Sequence, residues 1–171
     1  DRNGNPQALL LHQVDEIKTL SALKGGISAD EAGSGKTMIV ALTGLHLLGQ
    51  IETVPGRVGR MLVVGTKSVI DNWENEIGLH LNTDEIDLIN LTYSTKRRKE
   101  GIDFSLAERL SMFEETLQAG KKPIQIGMVN YDVWRNPFFQ SMLKRHPVDV
   151  LAIDETHNVK AAIFAALERA E

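Results

Sequence analysis

The sequence predicts an α/β fold with a mainly parallel sheet, on the strength of two observations. Short apolar runs rich in Val, Ile and Leu alternate along the chain with longer segments whose apolar residues recur at helical spacing. This alternation is typical of parallel strands that are joined by crossover helices. The composition agrees, because 171 residues, of which 42% are hydrophobic, suffice for one domain with a core.

Five short apolar runs carry the strand signal. The predicted strands are Gly26–Ala29, Met61–Gly65, Ile86–Leu91, Ile124–Val129 and Val148–Ile153. A proline stands directly before each of the last two runs, where its missing N–H group costs the sheet nothing.

Between these runs, apolar residues recur as they do on one face of a helix. The first predicted helix is Leu9–Leu23, and Trp73 is expected to pack in the core from the third. The predicted apolar stripes are Leu10, Val14, Ile17 and Leu20; Met38, Ala41, Leu45 and Leu48; Val69, Ile70, Trp73 and Ile77; Ala107, Leu110, Phe113 and Leu117; and Val159, Ile163 and Leu167. Gly49–Arg60, which is rich in Gly and polar residues, is predicted to be an exposed loop.

The composition also argues against several classes of protein. The chain has no Cys, which excludes disulfides and thiolate metal sites and favours an intracellular protein. No apolar run approaches the roughly 18 residues of a membrane-spanning helix, and the polar start lacks the apolar stretch of a secretory signal. We therefore expect an intracellular protein without membrane contact, nuclear in a eukaryote and cytoplasmic otherwise.

The segment Ile27–Thr37 has the features of a phosphate-binding loop. It leads from apolar residues through a glycine-rich turn into a helix, where backbone N–H groups and the helix N-terminus attract anions. Lys36 is expected to reach the β- and γ-phosphates, and the Thr37 hydroxyl to bind Mg²⁺. Asp30 stands where the usual pattern has Gly, so an ordinary strand-to-helix turn is the alternative.

A second chemical motif follows the predicted strand Val148–Ile153. Asp154 and Glu155 emerge at its carboxyl end, which is where ligands bind in open α/β sheets. We expect Asp154 to hold Mg²⁺ through water, and Glu155 to orient the water that attacks the γ-phosphate. His157 would relay the state of the nucleotide. The alternative is that the two acids only cap a helix that begins at residue 156.

These segments resemble motifs of the Swi/Snf-type ATPases of helicase superfamily two. Ala29–Thr37 resembles motif I, in which an Asp-Glu pair commonly precedes Gly-x-Gly-Lys-Thr. Asp154–Lys160 resembles the D-E-x-H box of motif II, although its third and fifth residues depart from the usual pattern. Leu62–Glu76 resembles motif Ia without its usual Pro, and Val129–Asp132 resembles motif Ib imperfectly.

The resemblance implies a RecA-like P-loop NTPase domain that uses ATP and Mg²⁺. Gln13 would read the adenine, and Thr66, Lys67 and Ser68 would contact the nucleic-acid backbone. The residues expected to bind the nucleotide are Gln13, Asp30, Gly33, Ser34, Gly35, Lys36, Thr37 and His157. The resemblance also supports Lys36, Asp154 and Glu155 as catalytic residues, and Thr37 and Asp154 as the Mg²⁺ ligands.

We therefore expect residues 1–171 to be the first RecA-like lobe of an ATP-dependent translocase or chromatin-remodelling-type enzyme acting on double-stranded DNA. The sequence ends before a motif III, so we expect a second lobe elsewhere in the parent chain and little hydrolysis by this lobe alone. The net charge of -4 argues against strong nucleic-acid binding, although residues 96–145 carry ten Lys or Arg against six acids. The alternatives are a P-loop NTPase of another class, such as a packaging ATPase or a nucleotide kinase, and a non-hydrolysing nucleotide-binding interaction module.

Overall fold

A parallel sheet forms the centre of the domain. The computed structural model describes residues 8–28, 34–51, 57–81, 83–92, 105–119 and 122–155. Within them, all strands run parallel in the order β2-β3-β1-β4. The strands are β1 (Gly59–Gly65), β2 (Ile86–Asn90), β3 (Ile124–Asn130) and β4 (Val150–Ile153). The predicted α/β fold is therefore confirmed, and four of the five predicted strands are present.

Helices connect and flank these strands. They are α1 (Leu11–Leu23), α2 (Lys36–Ile51), α3 (Lys67–His80), α4 (Leu106–Ala119), α5 (Tyr131–Trp134) and α6 (Pro137–Arg145), with a 3-10 turn at Thr83–Glu85. The sequence reasoning missed α5 and α6. Asn136 starts α6 by accepting hydrogen bonds from the backbone N–H groups of Phe138 and Phe139, and Pro137 occupies the first turn. None of the described helices is long and apolar enough to cross a membrane.

The sheet separates two hydrophobic clusters. Because successive side chains of a strand point to opposite faces, Met61 and Val63 of β1 enter one cluster, while Leu62 and Val64 enter the other. The first cluster contains residues of α2 and α3, and the second contains residues of α4, α5 and α6. The sheet is thus covered by helices on both faces, as in other parallel sheets.

The direction of α2 places its first turn at the carboxyl ends of the strands. Leu48, near the end of α2, packs against Gly59 at the start of β1. Gly44, one turn earlier, packs against Met61 and Val150, so closely that an added Cβ would lie 2.6 Å from the Met61 sulfur. The helix therefore runs antiparallel to β1, and its N-terminus lies toward Gly65.

The predicted strand Gly26–Ala29 is wrong where the structure can test it. Residues 25–28 form no strand, Ala29 lies outside the described residues, and the Ile27 side chain is 90% exposed. An extended segment becomes a strand only where a neighbouring strand pairs with its N–H and C=O groups, and none of the described strands pairs with this one.

Other predicted boundaries shift. The first helix begins at Leu11 rather than Leu9, which leaves Leu10 59% exposed at its N-cap and outside the expected apolar face. The predicted loop Gly49–Arg60 is shorter at both ends, because α2 continues to Ile51 and β1 already begins at Gly59. Pairing of Gly59 with Ile124 extends the strand. The last predicted helix, around residues 159–167, lies outside the described residues.

Candidate nucleotide-binding site

The described part of the glycine loop enters α2 directly. Lys36 and Thr37 form the first turn of this helix, where backbone N–H groups point toward the loop. Gly35 has a φ of +84°, a left-handed conformation that a residue with a Cβ adopts only at a cost. The hydroxyl of Ser34 is buried and has no hydrogen-bond partner among the described residues. A buried hydroxyl without a partner at a helix N-terminus fits an anionic ligand.

Gln13 of α1 lies directly on this loop. Its side-chain amide N–H donates a hydrogen bond to the Ser34 carbonyl over 2.9 Å, and its carbonyl oxygen accepts one from the backbone N–H of Leu10 over 3.0 Å. A Cβ added to Gly35 would come within 2.5 Å of the Gln13 amide nitrogen. The structure therefore brings Gln13 to the glycine loop, while its predicted contact with adenine stays a prediction.

The acidic side of the site begins where β4 ends. The Asp154 N–H still donates to the carbonyl of Val64 over 2.8 Å, so Asp154 is fixed to the end of β1. One carboxylate oxygen, Oδ1, accepts from the Glu155 N–H over 2.8 Å, and the other, Oδ2, accepts from the indole N–H of Trp73 over 3.0 Å. Glu155 is exposed and has a φ of +53°. The two acids thus sit on a sharp turn that is held by hydrogen bonds.

Tyr131, the first residue of α5, also stabilises this turn by hydrogen bonds. Its hydroxyl donates to the backbone carbonyl of Asp154 and lies 3.3 Å from that of Glu155. Burial and, after it, the negative charges of Asp154 and Glu155 together raise the pKa of Tyr131 to about 12. The phenol therefore keeps its proton, and with it the ability to donate, throughout the physiological pH range.

The loop and the acids lie at the same level along the sheet. Eight helical residues separate Gly44 from Lys36, a rise of about 12 Å. Met61, beside Gly44, lies four strand residues before Gly65, a rise of about 13 Å. Because Val64 pairs with Ile153, Asp154 follows at the level of Gly65. The N-terminus of α2 and the acid pair therefore share one end of the domain.

The donor groups at this end suit Mg²⁺ bound together with phosphate. A hydroxyl, that of Thr37, and a carboxylate, that of Asp154, are oxygen ligands of the type that Mg²⁺ accepts. No three His, Cys, Asp or Glu side chains in the described ranges could hold a metal by themselves. Mg²⁺ commonly uses one or two protein ligands and completes its shell with water and substrate phosphates, so the residues present fit this ion.

The predicted nucleic-acid contacts lie at the start of α3. Thr66 is the N-cap residue, and its hydroxyl lies 3.2 Å from that of Ser68. Lys67 and Ser68 are exposed. Because Thr66 follows Gly65 directly, these residues also lie at the carboxyl end of the sheet, beside the acid turn.

Comparison with known proteins gives the family. Residues 12–169 match the SNF2-related domain. The chain belongs to the SNF2-related family. It is also 27% identical over 136 residues to the DNA repair and recombination protein RAD54-like of Danio rerio, an alignment that covers 80% of this chain. The chain spans only 17% of the length of that relative. The resemblance drawn from the motifs is therefore confirmed, and with it a RecA-like domain of a family of ATP-dependent, helicase-like enzymes.

In this SNF2-related chain, most of the predicted nucleotide-site residues lie at one end of the sheet, and the others lie outside the described residues. It brings Gln13, Ser34, Gly35, Lys36 and Thr37 together around the N-terminus of α2. Asp154 and Glu155 form the turn after β4, at the same end. Three further predicted residues lie outside the described part of the chain: Asp30, Gly33 and His157.

Sequence reasoning missed two residues that touch the site. Trp73 was expected to serve in packing, and it is indeed 2% exposed within a hydrophobic cluster, but its indole N–H also binds Asp154. From the sequence, Tyr131 was noted only as part of Val129–Asp132, the segment with an imperfect resemblance to motif Ib. A signal was available for both, because a buried indole or phenol carries a polar group that needs a partner.

Proposed function

We propose that this SNF2-related chain is the ATP-binding first lobe of an ATP-dependent DNA translocase, and that residues 1–171 belong to that lobe. One observation supports the proposal above all. The phosphate-loop residues at the start of α2 and the acid turn after β4 lie at the same end of one parallel sheet. A phosphate chain with its metal ion needs both groups on one side of the domain.

The residues have separate roles in this proposal. Lys36 and the N-terminal N–H groups of α2 bind the β- and γ-phosphate oxygens. Thr37 and Asp154 hold Mg²⁺, which when bound neutralises charge that develops on the phosphates. Glu155 accepts a hydrogen bond from the attacking water and orients it. Further proposed nucleotide contacts are Gln13, Asp30, Gly33, Ser34 and His157.

DNA is the polymer along which we propose that the protein moves. Hydroxyls and backbone N–H groups bind phosphate oxygens without reading sequence, and Thr66, Lys67 and Ser68 offer both kinds of donor together with a positive charge. The relative from Danio rerio is named as a DNA repair and recombination protein, which favours DNA over RNA. We propose that a second RecA-like lobe, outside this sequence, completes the site, and that the protein works in the nucleus if its source is a eukaryote and in the cytoplasm otherwise.

Nucleotide binding by this chain is the first test. Lys36→Ala removes the charge that faces the phosphates, so Mg²⁺-dependent binding of a fluorescent ATP analogue should be abolished, as measured by fluorescence anisotropy. Lys144→Ala, a matched change on the exposed face of α6, should leave binding unchanged. Equal affinity of the Lys36→Ala variant and the unsubstituted chain would contradict the proposal.

Hydrolysis by the complete protein is the second test. Glu155→Gln keeps the shape of the side chain but removes the carboxylate, so ATP should still bind while DNA-stimulated turnover stops. Glu115→Gln, on the exposed face of α4, is the control that should turn over normally. Undiminished DNA-stimulated hydrolysis in the Glu155→Gln protein would contradict the proposed catalytic role of Glu155. Nucleotide binding without any turnover in the unsubstituted protein would favour the non-hydrolysing interaction module.

A further inference from the structure

We infer that Trp73 is a positioning residue for the proposed Mg²⁺ site, and that it acts by fixing the direction of the Asp154 carboxylate. The inference rests on the proposed function and assigns a task to a residue that the sequence marked only as core. The observation that carries it is the 3.0 Å hydrogen bond from the Trp73 indole N–H to Asp154 Oδ2.

The indole has little freedom to move. Trp73 is 2% exposed and belongs to a hydrophobic cluster that includes Ile70 and Ile77 of the same helix. Interiors of this kind are close-packed, so the ring keeps one orientation. The N–H group therefore points in a fixed direction, and the Asp154 carboxylate is the acceptor that it meets.

Asp154 keeps acceptor capacity after this bond is made. A carboxylate offers about four lone-pair positions on its two oxygens. In the structure Oδ2 accepts from Trp73 and Oδ1 accepts from the Glu155 N–H, which is one protein donor on each oxygen. Two donors fix the rotation of the carboxylate plane, and the remaining lone pairs are left for the ion or its water.

The acid turn is held from both faces of the sheet. Trp73 approaches from the cluster that contains Ile70 and Ile77, whereas Tyr131 belongs to the cluster on the opposite face. Tyr131 binds the backbone carbonyl of Asp154, and Trp73 binds its side chain. The backbone hydrogen bond fixes where the residue lies, and the side-chain hydrogen bond fixes how its carboxylate is turned. Only the second determines the direction in which the carboxylate would face a bound ion.

Removing the indole N–H without removing the ring tests this role. Trp73→Phe keeps an aromatic ring in the core, and Trp134→Phe is the matched control, since the Trp134 ring packs beside Phe139 at a centroid distance of 6.5 Å. The readout is the affinity of this chain for a fluorescent ATP analogue, with Mg²⁺ and with EDTA. Loss of a hydrogen bond that orients a metal ligand weakens metal affinity about 10-fold or more. We therefore expect about a 10-fold loss for Trp73→Phe in Mg²⁺, no change in EDTA, and no change in either buffer for Trp134→Phe.

A second measurement does not depend on how Trp73→Phe folds. The chain has two Trp residues, so in the Trp134→Phe variant the remaining indole N–H resonance belongs to Trp73. Replacing Asp154 by Ala in that background removes the acceptor. The Trp73 resonance should then shift and its N–H should exchange faster with solvent. An unchanged resonance would overturn the inference.

The outcomes separate the inference from the proposed function. If the unsubstituted chain does not bind the ATP analogue in Mg²⁺, the proposed function fails and the inference falls with it. If it binds and Trp73→Phe shows the same gain in affinity from Mg²⁺, the inference alone fails. If Trp73→Phe weakens binding equally in Mg²⁺ and in EDTA, Trp73 serves in packing only, which also overturns the inference.

Discussion

The two halves of the proposed nucleotide site are built differently. The acid turn is held by Trp73 and Tyr131, which are both buried in hydrophobic clusters on the sheet. The described part of the phosphate loop is held to α1 by the amide of Gln13 through Ser34. The acid half therefore takes its geometry from the core, whereas the loop half depends on a helix that is mostly exposed.

Helix α1 leaves several of its apolar side chains exposed. Only Leu20 and Ser21 are buried in this helix, while the side chains of Leu11 and Leu23 are 85% and 70% exposed. Local stability follows buried apolar contacts. We therefore expect the loop half to open more readily than the acid half, and a phosphate ligand to order the loop half more than the acid half.

The largest expected effect is on the acid half. Trp73→Ala removes a fully buried aromatic side chain together with the donor to Asp154, and such truncations cost about 3–5 kcal/mol of unfolding free energy. Urea unfolding followed by circular dichroism measures the loss. Leu11→Ala, at an exposed position of α1, should change stability by no more than about 0.5 kcal/mol. Similar losses in the two variants would remove the contrast between the halves.

Gly35→Ala should give the next largest effect, on the loop half. The new Cβ would meet the Gln13 amide at 2.5 Å, and the φ of +84° becomes unfavourable. We expect a cost of about 1–3 kcal/mol, measured by urea unfolding. The control is Gly25→Ala, where φ is +150° but an added Cβ meets nothing within 4 Å. Equal losses at the two glycines would mean that the contact with Gln13 contributes nothing.

Gln13→Ala tests the link between α1 and the loop. Losing its hydrogen bond to the Ser34 carbonyl should cost about 1 kcal/mol. Amide hydrogen exchange should become faster in residues 8–23 and at Ser34, and stay unchanged in β1 and β4. Gln118→Ala, on the exposed end of α4, is a suitable control. Faster exchange throughout the sheet would show that the two halves open together.

The last expected effect, that of Tyr131→Phe, depends on pH. The pKa of Tyr131 is raised from 10.0 to about 12 in the folded chain. Between these values the unfolded phenol loses its proton while the folded one keeps it, so stability falls as the pH rises from about 10 to about 12.

Tyr131→Phe should therefore lose less stability than the unsubstituted chain between about pH 10 and about pH 12, measured by urea midpoints. The other tyrosine, Tyr93, lies outside the described residues and provides the control substitution. If Tyr131→Phe follows the unsubstituted chain over this range, its hydroxyl does not carry the raised pKa.

Some elements were predictable because their signal is local. Apolar runs such as Met61–Gly65 and Ile124–Val129 are strands in the structure because their residues suit a sheet that is buried on both faces. Gly26–Ala29 has only Ile27 as a β-branched residue, and residues 26–28 form no strand, because a strand also needs a neighbour. The helix α6 was missed although Asn136 and Pro137 form a start signal, because its buried stripe consists only of Phe139 and Met142 and is too short to give a clear helical period.

The sequence by itself determined the chemistry of the proposed site. Glycines beside Lys36 and Thr37, and a pair of acids after an apolar run, predict phosphate and metal binding in a parallel α/β sheet, because these proposed roles follow from the functional groups and their immediate neighbours. Only the tertiary structure decided how the acids are held. Trp73 lies 81 residues before Asp154, and the hydrogen bond between them exists because α3 and β4 pack on the same sheet. A contact of that kind depends on which elements the fold brings together, and no local pattern encodes it.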